Sequence, residues 1–145
     1  WRLWAEHVVR FRELEAVLRR EMSELADSDS RARLGECLVA LLVSLDQYDA
    51  ALQLGEELRA HWVDTGRAES KDCASLTVGI GDALLGLSRF GEALARFEEA
   101  VGVYRKLGLG DSVNCAIAIQ SSGGALQVLS RFGEALARFE EAVGV

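Results

Sequence analysis

The sequence predicts an all-α fold, a solenoid of antiparallel helical hairpins stacked along one axis, and three observations carry the prediction. The segment Ser88 to Val103, SRFGEALARFEEAVGV, recurs without a change at Ser130 to Val145, an offset of 42 residues. Recurrence at a fixed offset marks a repeat architecture. The same step back from Phe90 lands on Tyr48, where Leu45, Tyr48, Ala51 and Leu52 take the places of Leu87, Phe90, Ala93 and Leu94. Apolar residues also keep helical intervals: Leu94, Phe97, Val101 and Tyr104 form one stripe, with Arg96, Glu98, Glu99 and Arg105 on the other side. Proline, finally, is absent. Ordinary usage of roughly 5% would give about seven in a chain of this length, so long uninterrupted helices are expected.

The first element is a helix over about 2–25, whose stripe is Trp4, Val8, Phe11, Leu14, Leu18 and Leu25. The polar run Asp27 to Arg31 ends it and offers Ser28 or Ser30 as the N-cap of the next helix. Paired helices follow at about 31–45 and 49–64, 72–87 and 91–107, and 113–129 and 133 to the end. Gly66 and Gly108, one repeat apart, are expected to end the second helices of the first two pairs, because glycine tolerates the left-handed C-terminal position. Glu92 and Arg96 stand four apart with the acid first, the favourable order for a surface pair. Residues 1–26 thus read as a cap or the remnant of a preceding repeat, and 31–66, 72–108 and 113–145 as three repeats of one continuous domain, the last cut short. The chain opens on Trp1 and closes inside a repeat, so both ends are expected to be cut points.

Composition narrows the function classes. Half the 145 residues are apolar, enough for a continuous core. Sixteen Lys and Arg against 23 Asp and Glu leave a net charge of −7, which repels phosphate backbones and argues against nucleic acid. No run approaches the roughly 18–20 apolar residues of a membrane span. Three cysteines without CxxC pairing read as reduced thiols, so a cytoplasmic location is expected.

At Gly81 to Val101, GDALLGLSRFGEALARFEEAV, the chain resembles a tetratricopeptide repeat. A glycine lies in the first helix (Gly81, and Gly123 later), an aromatic follows the turn (Tyr48, Phe90, Phe132), and small close-packing residues come next (Ala51, Ala93, Ala135). Phe97 and Phe139 match the second-helix aromatic, with Ala100 and Ala142 after it. The resemblance implies a right-handed superhelix. Two features depart from the usual pattern. The unit is 42 residues rather than about 34, and Arg105 stands where a proline would close it, which is similar to the longer-helix variety of kinesin light chains and of arrays attached to bacterial STAND-type signalling ATPases. In the first copy Val39 replaces the glycine and Gly55 the second-helix aromatic.

Candidate chemistry is sparse. Gly79, Gly81 and Gly86 superficially imitate a phosphate loop, but no strand precedes them and no lysine follows, so helix packing explains them and no cofactor is expected. Cys73 and Cys115 hold equivalent sites in neighbouring hairpins, too far apart for an unstrained disulfide, and are expected to be buried small residues. His7 and His61 lack Asp or Cys at ligand spacing, so no metal site is expected. The pairs Glu56–Glu57, Glu98–Glu99 and Glu140–Glu141 diverge by about 100° on a helix and read as a solvated face rather than a glycosidase pair. No catalytic constellation emerges, and the chain reads as no enzyme.

In the resembling family the first helices line the concave face. The resemblance therefore implies partner binding by Arg33, Glu36, Ala40, Val43 and Ser44 from the first hairpin, and Ser75, Val78, Asp82, Leu85 and Gly86 from the second. Ile117, Gln120, Gly124, Gln127 and Val128 complete the set. Chaperone-tail receptors of the family place lysine and asparagine here, whereas this chain has Val78, Asp82 and Gly86, which argues against that subclass. The expected function is a non-catalytic scaffold that binds a partner peptide or helix. The alternative is a regulatory sensor array of a larger signalling ATPase or transcription regulator. Leu136, Phe139 and Val143 lack a following hairpin, so self-association through uncapped repeat ends is expected as well.

Overall fold

A computed structural model describes residues 2–144, with the backbone alone at Phe132, so the turn aromatic expected there lies outside the described side chains. Helices α1 (Arg2–Glu24), α2 (Ser28–Ser44), α3 (Tyr48–Asp64), α4 (Lys71–Gly86), α5 (Phe90–Lys106), α6 (Val113–Val128) and α7 (Phe132–Gly144) follow one another, and no strand occurs among the described residues. The α-solenoid expected from the repeats is therefore the fold.

The start of α2 corrects the sequence reading. Asp27 is the N-cap, not Ser28 or Ser30: its carboxylate accepts the N–H groups of Asp29 and Ser30 at 3.3 Å and the Ser30 hydroxyl at 2.7 Å. A carboxylate holds two orphan amides where a hydroxyl holds one, so the helix begins a turn earlier than expected. Ser70 and Ser112 cap α4 and α6, each accepting an amide three residues on, from Cys73 and Cys115 at 3.2 Å.

Helices α2 to α6 end on one device. Gly66 and Gly108 stop α3 and α5 at φ 74° and 73°. The amide one residue further reaches back five positions, Arg67 to Trp62 and Leu109 to Tyr104, at 2.8 Å. The first helices stop identically on Asp46, Ser88 and Ser130, at φ 58°, 60° and 61°. These three sit one repeat apart but are not glycines, so the glycine signal does not find them.

Each hairpin pairs a first helix with a second: α2 with α3, α4 with α5, α6 with α7. The second helix also packs on the next first helix, and α1 lies against α2. First helices touch one another directly, α2 on α4 and α4 on α6, while the backbones of α3, α5 and α7 stay apart. The chain is thus tighter on the α2, α4, α6 side.

The irregular first copy turns out to be compensated. In the second hairpin a Cβ on Gly81 would fall 2.6 Å from the Phe97 ring, so the small residue sits on α4 and the large one on α5. In the first hairpin the sizes are exchanged, Val39 on α2 and Gly55 on α3, and Ile80 fills the space over Gly55. Gly35 against Leu58 likewise mirrors Thr77 and Ala100. The space a second-helix aromatic would take over Gly55 is thus filled from the next first helix by Ile80, while Val39 packs on Gly79 of that helix. Trp62 and Tyr104, one repeat apart, are both buried beside these pairs.

Candidate functional site

The expected binding residues fall into five rows across α2, α4 and α6, each row one residue per helix at the repeat offset. One row is Arg33, Ser75, Ile117; the next Glu36, Val78, Gln120; then Ala40, Asp82, Gly124; then Val43, Leu85, Gln127; and last Ser44, Gly86, Val128. Direct contact of the first helices brings the rows together. Their members differ in how far they remain available.

Arg33 is exposed and lies 3.4 Å from Asp72 on the next first helix. Glu36 is half-buried and accepts the Ser75 hydroxyl. Burial lifts its carboxyl above the usual range, the Ser75 hydrogen bond works against that, and Asp72 adds to it. Val43, Val78 and Leu85 are half-buried, leaning on the core with one side. Gln120 and Gln127 are exposed, as are Ile117 at 48% and Val128 at 55%. Gly86 takes the ring of Tyr48, which would sit 2.3 Å from any Cβ there, so the turn aromatic of the first hairpin packs on the first helix of the second. Asp82 is half-buried with neither a hydrogen bond nor an ion pair among the described residues, and burial alone pushes its carboxyl up to about 6.

The opposite side behaves differently. Arg96 does not pair with Glu92, as its spacing suggests; Glu92 holds Arg89 instead. Arg96 reaches across to Glu56 on α3 at 3.2 Å and along its own helix to Glu99 at 3.2 Å. The long guanidinium can bridge the wider gap between second helices, which a within-helix pair leaves open. Arg59 bonds Glu99, Arg138 bonds Glu98 at 2.9 Å and Glu141 at 3.1 Å, and Arg105 bonds Glu141. The glutamates read as a solvated face are largely members of this ladder. The equal spacing of Glu56 to Arg96 and Glu98 to Arg138 was the signal available in the sequence. Beneath the ladder lie two repeat-equivalent cavities of about 380 and 420 Å³, floored by Leu52 with Leu84 and by Leu94 with Leu126.

The remaining candidates are structural. Cys73 and Cys115 are buried free thiols, as expected, and Cys37 is exposed. His61 meets Asp29 at 3.0 Å, and Arg67 grips the same carboxylate with two bonds of 2.6 Å while lying 4.8 Å over Trp62. Arg67 first, then His61, hold the Asp29 carboxyl well below the usual range. This knot ties the start of α2 to the end of α3, and no sequence spacing announces it. No group of three or more metal-ligating side chains gathers among the described residues. None of the described helices is long and apolar enough to cross a membrane. At the far end, α6 and α7 frame a cleft of about 410 Å³ lined by Val113, Ala116, Ile117, Phe139, Ala142 and Val143.

Stacked hairpins with a small residue facing an aromatic, and helices that touch on one side and splay on the other, define a helical repeat scaffold. The tetratricopeptide repeat family model matches residues 72–145, half of the chain, and the chain belongs to that family, whose repeats mediate protein–protein interaction. The fold is similar to the crystal structure of BtubC (BKLC) from P. vanneervenii, with a TM-score of 0.83 and 21% identity. That likeness covers 93% of this chain and 55% of the other, so the chain spans about half the length of its structural relative. No curated protein matches the chain in sequence.

Proposed function

We propose that the chain is a non-catalytic interaction scaffold that binds a peptide or helix of a partner protein on the face formed by α2, α4 and α6. The observation that carries this reading is the contrast between the two faces. The second helices spend Arg59, Arg96, Arg105 and Arg138 on one another's glutamates in the arginine–glutamate ladder. The first-helix face keeps Val43, Val78, Leu85, Ile117, Gln120 and Gln127 half or fully exposed, mixing apolar area with uncommitted amides. Such a surface combines apolar contact area with groups that orient a ligand. The substitutions Gln127→Arg and Val128→Arg, at exposed positions of α6 outside the α6–α7 cleft, test it. The double variant should melt like the parent yet lose peptides selected on the parent from a random library. Undiminished binding of every selected peptide would move the site elsewhere.

A second reading rests on the cleft between α6 and α7. One repeat earlier the equivalent residues Ala74, Ala100 and Val101 are buried against Cys115, Ala118 and Ile119 of the following first helix. The cleft therefore has the shape and chemistry of a surface that takes another such helix, and we propose that it supports end-to-end self-association.

A further inference from the structure

We infer that Asp82 receives a lysine or arginine side chain of the partner, seated in the notch that Ala40 and Gly124 leave on either side of it. The inference rests on the proposed use of the first-helix face and adds the chemistry of its ligand. Its starting point is an anomaly. Every other half-buried carboxylate among the described residues has a donor: Glu15 holds Arg19, Asp29 holds Arg67, Glu36 holds Ser75, Asp72 holds Arg33, and Glu56, Glu98 and Glu141 join the ladder. Asp82 alone has none. A carboxylate taken partly out of water without a partner disfavours folding, so such groups mark sites where an external partner completes the pair.

The surroundings say which partner. Row neighbours Ala40 and Gly124 are the smallest residues available, and a Cβ added at Gly124 would meet nothing within 4 Å, so neither neighbour in the row carries a side chain that could cover Asp82. Val78 and Leu85 stand one turn before and after it on the same helix face, and Val43 on the next row, giving an apolar lining along which the aliphatic stem of a lysine or arginine can lie. Charge points the same way. On this face α2 contributes Arg33, tied to Asp72, and Glu36; α4 itself adds Lys71 and Asp72 at its start; α6 carries no charged side chain; and α3 and α5, which also pack on α4, hold Arg59 and Arg96 against glutamates of the second helices. Beside Asp82 a partner cation therefore meets no repulsion. A metal ion finds too few oxygens, since no ligand group of three forms among the described residues. Burial raises the Asp82 carboxyl to about 6, so the site is charged at neutral pH and fades on mild acidification.

A random peptide library selected on the parent and on Asp82→Asn tests this. Parent-selected peptides should share a lysine or arginine and bind Asp82→Asn roughly tenfold or more weakly, as expected for a lost charge-assisted bond. Replacing that cation by alanine should have the same effect on the parent and none on the variant, and affinity should fall between pH 7 and pH 5 on the parent alone. Peptides that bind the first-helix face, as judged by sensitivity to Gln127→Arg and Val128→Arg, but show no basic residue and no preference for the parent would overturn the inference and leave the proposed face intact. A library that yields no peptide sensitive to those substitutions removes the face, and the inference with it. Thermal melts of Asp82→Asn, which loses only an unpaired charge, keep a folding defect from imitating the result.

Discussion

Asp82 also has a signature in the protein alone. Its carboxyl titrates at about 6 in the folded chain against 3.8 in the unfolded one, so the folded state binds the proton more tightly and stability rises as pH falls from 7 toward 4. The burden at neutral pH is at most about 3 kcal/mol. Urea midpoints of the parent should therefore increase between pH 7 and pH 5, and those of Asp82→Asn should start higher and stay nearly flat. Glu36, also raised by burial, contributes in the same direction. A second residue-scale effect lies in the turns. Ser88 holds φ 60° without being glycine, and Ser88→Gly should stabilise by about 0.5–1 kcal/mol, read from the same urea midpoints. At this scale the sequence was only partly readable. Gly66 and Gly108 announce their turns because glycine has a conformational meaning, whereas Asp46, Ser88 and Ser130 hide the same turn behind ordinary polar residues. The isolation of Asp82 depends on what α2 and α6 fail to supply, which spacing along one helix does not encode.

Between elements, volume decides. Gly81 faces Phe97, whose ring atoms would lie 2.6–2.9 Å from a new Cβ. Gly81→Ala should destabilise by about 1–3 kcal/mol through overpacking. Gly124→Ala meets open space and should stabilise by up to about 1 kcal/mol through helix propensity, a contrast that chemical denaturation reads directly. Both glycines sit in the same element type, so equal responses would mean that the facing-pair account of the hairpin is wrong. Helix positions were legible because the 42-residue period and the 3.6-residue stripe reinforce each other. The exchange of Val39 with Gly55 was visible only as two departures, since the residue that fills the space over Gly55, Ile80, comes from the next hairpin. The ladder was missed for a related reason: Arg96 has an attractive acid four residues away at Glu92, and only the splay of α3 from α5 sends it to Glu56 instead.

Over the whole molecule, the repeat makes the last hairpin comparable with its predecessors. Val113 and Val143, 75% and 88% exposed, edge the α6–α7 cleft, and the burial of the corresponding surface one repeat earlier gives the chemistry of what would fit. Sedimentation should show mass rising with concentration for the parent, and glutamates at Val113 and Val143 should abolish the rise while leaving helicity unchanged. A parent that stays monomeric up to millimolar concentration would remove the end-to-end reading. The repeat logic was legible here from the identical segments alone, because an array buries each hairpin against the next. The partner face was named from the family resemblance alone, whereas the unequal spacing of first and second helices that sets it apart is a property of the stacked assembly.

Methyl NMR of the protein with a lysine-bearing peptide selected on it tests the central claim most directly. The account predicts shifts at Val43, Val78, Leu85 and Ile117 on the first helices, with Leu54, Leu94 and Leu136 on the second helices unmoved. Shifts confined to the second helices, or to the α6–α7 cleft without Val43 and Val78, would contradict it.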